Sequence, residues 1–415
     1  MTANIEARQA EGIIPAFEAR PVAIALNRMD ASLCTRFWME KRSHTCSGRH
    51  VDRRMTMPAS ASSSSKDFDH VVRVEIMNQA LVSTTALAGV PEFIEATSGT
   101  AAVAKVFRAE DVPESVVGRR GFFITHRAFS GILEQGARAA GDPDFGLMMA
   151  PSLDIRTWGP FGAYVTAGHT FIGALQRLML ALPYHGADDR MEMTASGDEI
   201  HFHYDIPSSG MIGYRHYAVA AVRYVHTIVA PYFPPGWVPA RIEFDLPKTR
   251  KPSVYEDLFR CPVIFDAPRW AVVMRRGTDF VDKPVIAGTP AVTLSDLRRL
   301  ARPAAPTDFP AKISELIRLQ LLDGMVSIDR TGAQLGIGVR TLQRRLGEHN
   351  LVFRDLVLRT RLERAIELLR ETDERITDIA TALGYATPAN FSRSFRRMFG
   401  ASPREVRKAG LVAAL

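Results

Sequence analysis

Beyond residue 310 the apolar positions recur with the helical period almost without a break. Ile313 to Leu322 leads in, and Ile328 to Leu335 and Val339 to Leu346 follow. Phe353 to Leu369 is one long segment with Leu356, Leu362, Ala365, Ile366 and Leu369 on its inner stripe. Ile376 to Leu383 and Ala389 to Phe399 come next. Ser402-Pro403-Arg404-Glu405, a capping box with Pro at the first helical position, begins a last short helix. Two pieces of this series share a plan of helix, glycine stop, tight turn and second helix. One runs through Leu335-Gly336-Ile337-Gly338 into Val339 to Leu346, the other through Leu383-Gly384-Tyr385-Ala386-Thr387-Pro388 into Ala389 to Phe399. Gly336 matches Gly384 at a spacing of 48 residues, but Leu342 matches Phe391 and Leu346 matches Phe395 at 49, so the second turn is one residue longer.

Upstream, from about residue 68 to 290, helical and strand periods alternate. Phe129 to Ala140 repeats at i, i+3, i+4 and i+7 and is closed by Gly141-Asp142-Pro143. Thr170 caps Phe171 to Leu182, whose dense apolar positions predict burial on most sides, and Pro183 stops it. Met191 to Thr194 and Glu199 to Ile206 alternate around Ser196-Gly197-Asp198 and predict a β-hairpin. Tyr214 to Ala230 reads as a helix and Ala240 to Leu246 as a strand. Cys261 to Phe265 and Trp270 to Met274 read as two short strands split by Asp266-Ala267-Pro268. The expected fold class is an α+β domain at 67–290, large enough to enclose a ligand, then an all-α domain at 311–410 with two helix-turn-helix units. A Pro/Ala-rich linker at 291–310, marked by Arg302-Pro303-Ala304-Ala305-Pro306, separates them. Residues 1–66 end in the run Ser60-Ala61-Ser62-Ser63-Ser64-Ser65. They read either as a flexible tail or as a stretch upstream of a true start at Met55 or Met57.

Of the 415 residues 46% are hydrophobic and 23% charged, a globular balance that makes disorder the wrong default outside the first segment. The formal charge is +7, and residues 307–415, with 18 Lys and Arg against 13 Asp and Glu, hold +5 of it. That concentration favours a polyanionic partner for the helical end. Cys34, Cys46 and Cys261 show no paired spacing, so neither a disulfide framework nor a zinc finger is supported and a reducing, cytoplasmic setting is expected. No apolar run reaches membrane-span length, and the first residues lack a basic segment followed by an apolar one, so neither insertion nor secretion is expected.

A helix that enters the major groove needs one face to seat it and an opposite face able to bond base edges. In Val339 to Leu346, Leu342 and Leu346 seat the helix, leaving Arg340, Thr341, Gln343 and Arg344 outward. Arg and Gln bond guanine and adenine bidentately. In the second unit Phe391 and Phe395 seat the helix, leaving Ala389, Asn390 and Arg393 to read bases. Thr387 caps that helix with Pro388 at its first position, and Thr387, Ser392, Arg396 and Arg397 are the expected phosphate contacts. The bland alternative is a solvated arginine face on an ordinary helical bundle. Two units at matching spacing weigh against it, and two such units in one chain suit successive major-groove segments about 34 Å apart.

At this level the chain resembles a known family. Phe353-Arg354, Arg361-Leu362-Glu363-Arg364-Ala365, Ile376-Thr377-Asp378-Ile379-Ala380, Leu383-Gly384-Tyr385, Asn390-Phe391-Ser392-Arg393-Ser394-Phe395-Arg396-Arg397, Phe399-Gly400 and Ser402-Pro403 with Arg407 are similar to the signature of AraC/XylS transcription regulators. Asp142 to Leu147, Thr170 to Leu175 and Phe259 to Phe265 more loosely resemble the arabinose-binding-like sensor domain of one branch. The resemblance implies an effector-responsive, sequence-specific DNA-binding regulator, usually an activator. Promoter DNA, RNA polymerase and an unidentified small-molecule effector are then the expected partners, a homodimer is compatible, and no membrane partner is expected. It also puts base reading on Arg340, Gln343 and Arg344 and on Ala389, Asn390 and Arg393. Three positions of the first unit depart from the family pattern: Thr331 where an apolar residue is usual, Gly332 where Ala is, and Gly338 where Ser caps the recognition helix. The second unit is therefore expected to be the more stable, the first to carry the richer reading face.

A rival function class is a metal-dependent or hydrolytic enzyme in the middle domain, with the helical part as an accessory DNA-binding module. Its best residues are His201, His203 and Asp205 on one strand face, but successive same-face strand residues converge poorly on one ion. His169, His185, His216 and His226 are scattered and read as locally satisfied. Gly336-Ile337-Gly338 lacks the third glycine and preceding strand of a dinucleotide loop. Ser63-Ser64-Ser65-Lys66 matches Ser-x-x-Lys only because it lies in a serine run, and Cys261 reads as a core residue. No catalytic residue, metal or cofactor is expected. Trp158, Tyr164, Phe202, Tyr204, Trp237 and Trp270 are candidates for a pocket wall or for plain core, and they identify no effector-binding residue.

Overall fold

In a computed structural model of the protein, residues 79–186, 188–275, 292–301 and 304–412 are described. Segment 1–66, with Cys34, Cys46 and the serine run, lies outside the described residues, as do Thr289-Pro290 and Arg302-Pro303 of the connection.

Strand β1 (Leu81–Ser83) pairs antiparallel with β2 (Phe123–Thr125), and helices α1 (Val90–Ser98) and α2 (Thr100–Ala109) lie between them in sequence. Then come α3 (His126–Ala140), α4 (Phe145–Met149), α5 (Pro160–Val165) and α6 (Phe171–Ala181). The helix ends read from sequence are present: Gly141 closes α3 at φ 68, and Gly173 N donates to Thr170 Oγ1 under α6; α3 starts a turn earlier than its apolar period, capped by Thr125 Oγ1, which accepts from Ala128 N. The hairpin is β3 (Arg190–Ser196) and β4 (Glu199–Asp205), turning at Gly197 with φ 56. Helix α7 (Tyr214–Val229), β5 (Arg241–Glu243), α8 (Pro252–Phe259), β6 (Val263–Ile264) and β7 (Ala271–Arg275) complete this part. The larger sheet has the order β3-β4-β7-β5-β6, with only β5 and β6 parallel.

Two expectations change here. Helix α6 is not buried on most sides: Ile172, Met179 and Leu180 are each about half exposed, because a dense apolar pattern does not say which face meets the core. Within the stretch expected to be a linker, α9 (Leu294–Ala301) is a helix. Thr293 and Asp296 cap each other's amides at its start, and Leu297 is fully buried in the sensor-side core.

The helical end follows the sequence pattern closely: α10 (Phe309–Gln320), α11 (Ile328–Leu335), α12 (Val339–Glu348), α13 (Phe353–Glu371), α14 (Ile376–Ala382), α15 (Pro388–Phe399) and α16 (Pro403–Val412). It contains two hydrophobic cores. One gathers α10, α11, α12 and Leu356 of α13; the other takes Leu362, Ala365 and Leu369 of α13 with α14 and α15. Helix α13 is thus a beam between two separately packed units. The first of these cores also takes in Leu81 and Phe123, while Val82 and Ile124 belong to the α+β core. Side chains alternate across a strand, and Val82 faces Ile124 in the β1–β2 register, so the two-stranded ribbon seats one face in each domain.

Candidate nucleic-acid interface

Ser327 caps α11 by accepting from Arg330 N at 3.1 Å, and Gly336 ends it in the left-handed region at φ 66, where a side chain is disfavoured. Helix α12 then starts at Gly338 with no side-chain cap. Leu342 and Leu346 are buried, Thr341 is half-buried, and Arg340, Gln343 and Arg344 are exposed. Arg344 pairs with Glu348 one turn on. Its neighbour Arg345 turns inward, its guanidinium 3.9 Å from the centroid of Phe309.

The second unit repeats the layout with a different interior. Gly384 ends its supporting helix at φ 76, Thr387 Oγ1 accepts from Asn390 N at 3.2 Å, and Pro388 is the first residue of α15. Phe391 and Phe395 are fully buried within a ladder of rings, Tyr385–Phe391–Phe395–Phe399, with centroids 5.3, 5.6 and 4.8 Å apart. Ala389, Asn390 and Arg393 face outward, with Arg393 donating to the Asn390 amide oxygen. Ser392 is half-buried, and Arg396 and Arg397 are exposed on the following turn. Apart from the half-buried Thr341, each set of candidate readers is exposed on its helix.

Two of the three departures in the first unit have physical causes. A Cβ on Gly332 would stand 2.7 Å from the carbonyl oxygen of Ile337, so the chain leaving the turn passes where Ala would sit. Thr331 is fully buried but satisfied, donating to Ser327 O at 3.0 Å and accepting from Gln320 Nε2 at 3.0 Å. Gln320 also donates to Gln334 Oε1 at 2.9 Å, and Gln334 Nε2 donates to the carbonyl of Asp111 at 3.0 Å. That last bond leaves the helical domain for the loop after α2. Arg330 pairs with the Asp111 carboxylate at 2.7 Å, Arg127 donates to Ala333 O at 2.9 Å, and Lys312 meets Asp188 at 2.8 Å. None of these partners was legible beforehand: they join positions more than a hundred residues apart with no periodic signal. Gly338 makes no contact that explains it.

The other candidates are committed locally. His203 Nε2 lies 3.1 Å from Thr194 Oγ1, Asp205 takes the Arg269 guanidinium on both oxygens at 2.9 and 3.0 Å, and His201 Nε2 lies 3.3 Å from Glu199. Among the described residues no group of three His, Cys, Asp or Glu could hold a metal ion. Cys261 is buried, and burial pushes its thiol up to about 11, away from the thiolate a nucleophile needs. Trp158, Tyr164, Phe202, Tyr204 and Trp270 are core; Trp237 lines an open cavity. His216 accepts from Gly146 N at 3.1 Å, but the scattered histidines are not all satisfied. His126 and His185 lie 3.4 and 3.9 Å from the buried Asp189 carboxyl, and neither His126 nitrogen nor His185 Nδ1 has a hydrogen-bond partner.

Comparison with known proteins accords with this architecture. The model of the arabinose-binding domain of AraC transcription regulators (N-terminal) matches residues 101–278, and a helix-turn-helix domain model matches 332–409. The HTH-type transcriptional regulator VirS of Mycobacterium tuberculosis is 26% identical over 315 residues, covering 74% of this chain and 91% of VirS. The HTH-type transcriptional activator RhaS of Salmonella agona is 34% identical over 143 residues, 33% of this chain and 51% of RhaS. The crystal structure of the transcriptional regulator CdpR from Pseudomonas aeruginosa aligns over 74% of this chain and 97% of that one at 19% identity, with a TM-score of 0.34. With an α+β domain ahead of paired helix-turn-helix units and a match to each domain, the chain belongs to the AraC family of DNA-binding transcription regulators.

Proposed function

We propose that the protein is a cytoplasmic transcription activator that reads promoter DNA with both helix-turn-helix units and is switched by a small molecule bound in its 67–290 domain. The observation that carries this reading is the pair of arginine-bearing outer faces, each seated on its own core and joined by α13. Base reading falls to Arg340, Thr341, Gln343 and Arg344 and to Ala389, Asn390 and Arg393, with Thr387, Ser392, Arg396 and Arg397 on phosphates. The name of RhaS as an activator supports the sign of regulation, which makes RNA polymerase a partner. No helix among the described residues is long and apolar enough to cross a membrane, in keeping with a cytoplasmic site of action. The exposed apolar side chains Ile172, Met179 and Leu180 on α6 support self-association into a homodimer. The relatives VirS and RhaS are named as a transcriptional regulator and a transcriptional activator, which supports a regulatory over a catalytic role.

Switching works through the seam between the domains. An effector shifts an equilibrium only by binding one arrangement more tightly, and the ribbon with the Asp111 contacts makes the first unit the one whose placement the sensor can bias. The test is base-specific. Arg344→Ala or Arg393→Ala should each cost about 1 to 3 kcal/mol and relax preference at particular base pairs, read by fluorescence anisotropy on operator variants. Equal weakening on every sequence would make both of them phosphate contacts.

A further inference from the structure

A cavity of about 670 Å³ opens between the C-terminal half of α7, the proline-rich loop after it and the end of α8. One wall is a stack of rings: Trp237 lies over Phe233 with centroids 3.9 Å apart and interplanar angle 14°, and His226 stacks on Trp237 from 6.0 Å. Phe259 adds a further apolar surface. Among the described residues the charged lining is of one sign: Arg223 and Arg260 line the cavity and no carboxylate does.

Within the protein Arg223 has a neutral hydrogen-bond partner, His226, and the Asp154 carboxylate of the adjoining depression within electrostatic reach. Its Nη1 lies 3.3 Å from His226 Nδ1, and since a guanidinium can only donate, the imidazole accepts there and carries its proton on Nε2. Its Nε is buried and has no hydrogen-bond partner. Asp154, in the adjoining depression, is already held by Arg156 through both carboxylate oxygens. Arg260, at the exposed rim, closes α8 in the left-handed region at φ 57, a conformation a non-glycine residue adopts at a cost and one that clusters at ligand sites.

We propose that this cavity is the effector site and that it takes an amphipathic carboxylate, the apolar or aromatic body against the Trp237–Phe233 wall and the carboxylate on Arg223. The proposal rests on the reading of the 67–290 domain as a sensor. A neutral sugar fits the lining poorly. Its hydroxyls need side-chain acceptors as well as donors, and among the described residues neither Asp, Glu, Asn nor Gln lines the cavity. An anion desolvated beside a guanidinium gains a charge-assisted bond, while a cation there would meet like charge.

The test titrates the full chain by calorimetry with 4-phenylbutyrate, its neutral amide 4-phenylbutyramide, its cationic analogue 4-phenylbutylamine, and L-arabinose. Saturable binding of the carboxylate alone is expected. Arg223→Gln should weaken it about ten- to a hundredfold, the loss of one hydrogen bond to a charged group, and Arg223→Lys should restore part. Trp237→Ala should weaken it about tenfold, while Arg250→Gln, an exposed cation outside the cavity, should leave it unchanged. Thermal unfolding of each free variant separates a lost site from a lost fold, and the Lys rescue stands apart from both. Binding of the amine or arabinose as tightly as the carboxylate, absence of saturable carboxylate binding, or indifference to both substitutions overturns the proposal. DNA affinity measured on the same samples distinguishes the two readings. Intact DNA binding without carboxylate binding sinks the site alone, and carboxylate binding without DNA binding sinks the regulator reading alone.

Discussion

Asp189 is held in the sensor core by Tyr204, whose hydroxyl donates to it at 2.9 Å, with His126 and His185 alongside. Burial raises its carboxyl to about 7 and drives His185 down to about 3; His126 is lowered well below the ordinary imidazole range by the same cause, and His216 is lowered to about 4. The signs oppose each other. An imidazole depressed in the folded state stabilises above the unfolded value of 6.5 and loses that contribution as pH falls, whereas a raised carboxyl favours the folded state as pH falls from about 7 toward 3.8. Three imidazoles against one carboxyl leave a net loss on acidification. Each group contributes up to about 1.4 kcal/mol per pH unit within its window. The thermal midpoint should therefore drop across pH 6.5 to 4, the interval bounded by the free imidazole and His216. His185→Phe, which keeps a ring beside Trp158 without a titrating nitrogen, should flatten the curve. A midpoint that rose on acidification would show that Asp189 dominates.

Helix α11 reverses a general rule. Replacing a mid-helix glycine by alanine usually stabilises by about 0.5 to 1 kcal/mol, yet Gly332→Ala would push a methyl against the Ile337 carbonyl. Overpacking of that kind costs about 1 to 3 kcal/mol, so the variant should unfold at lower denaturant than the parent. Thr331→Val should also destabilise, by about 1 to 3 kcal/mol, because it leaves a Gln320 donor buried with one acceptor fewer. The helical end was legible almost to the residue because a 3.6-residue period, caps and glycine stops are local signals, as Thr387 with Pro388 and Gly384 illustrate. The α+β part was half legible. Helices α3 and α7 and the β3–β4 hairpin follow from period, but strands of three residues such as β1 and β2 carry too few positions to show one. The outer faces of α12 and α15 could be named in advance because Leu342, Leu346, Phe391 and Phe395 mark their inner ones. Which loop would hold Arg330 could not, since Asp111 is placed by tertiary packing alone.

At the scale of the molecule the two units differ in what holds them. The first shares a core with the β1–β2 ribbon and is tied to Asp111; among the described residues the second core contains none from the sensor. Asp111→Ala should loosen only the first, by about 1 kcal/mol for a partly exposed pair. Amide exchange should then rise across 328–348 and stay level across 376–399. Equal acceleration in both segments would show that the beam α13 transmits the disturbance. The ribbon has a further consequence during synthesis. Leu81 and Phe123 leave the ribosome roughly 200 residues before Ile313 and Leu316, which is on the order of ten to forty seconds at ordinary elongation rates. For that interval the nascent sensor presents a bare apolar strand face to solvent. Chaperone demand should accordingly peak before the helical end emerges and end when α10 closes over the ribbon.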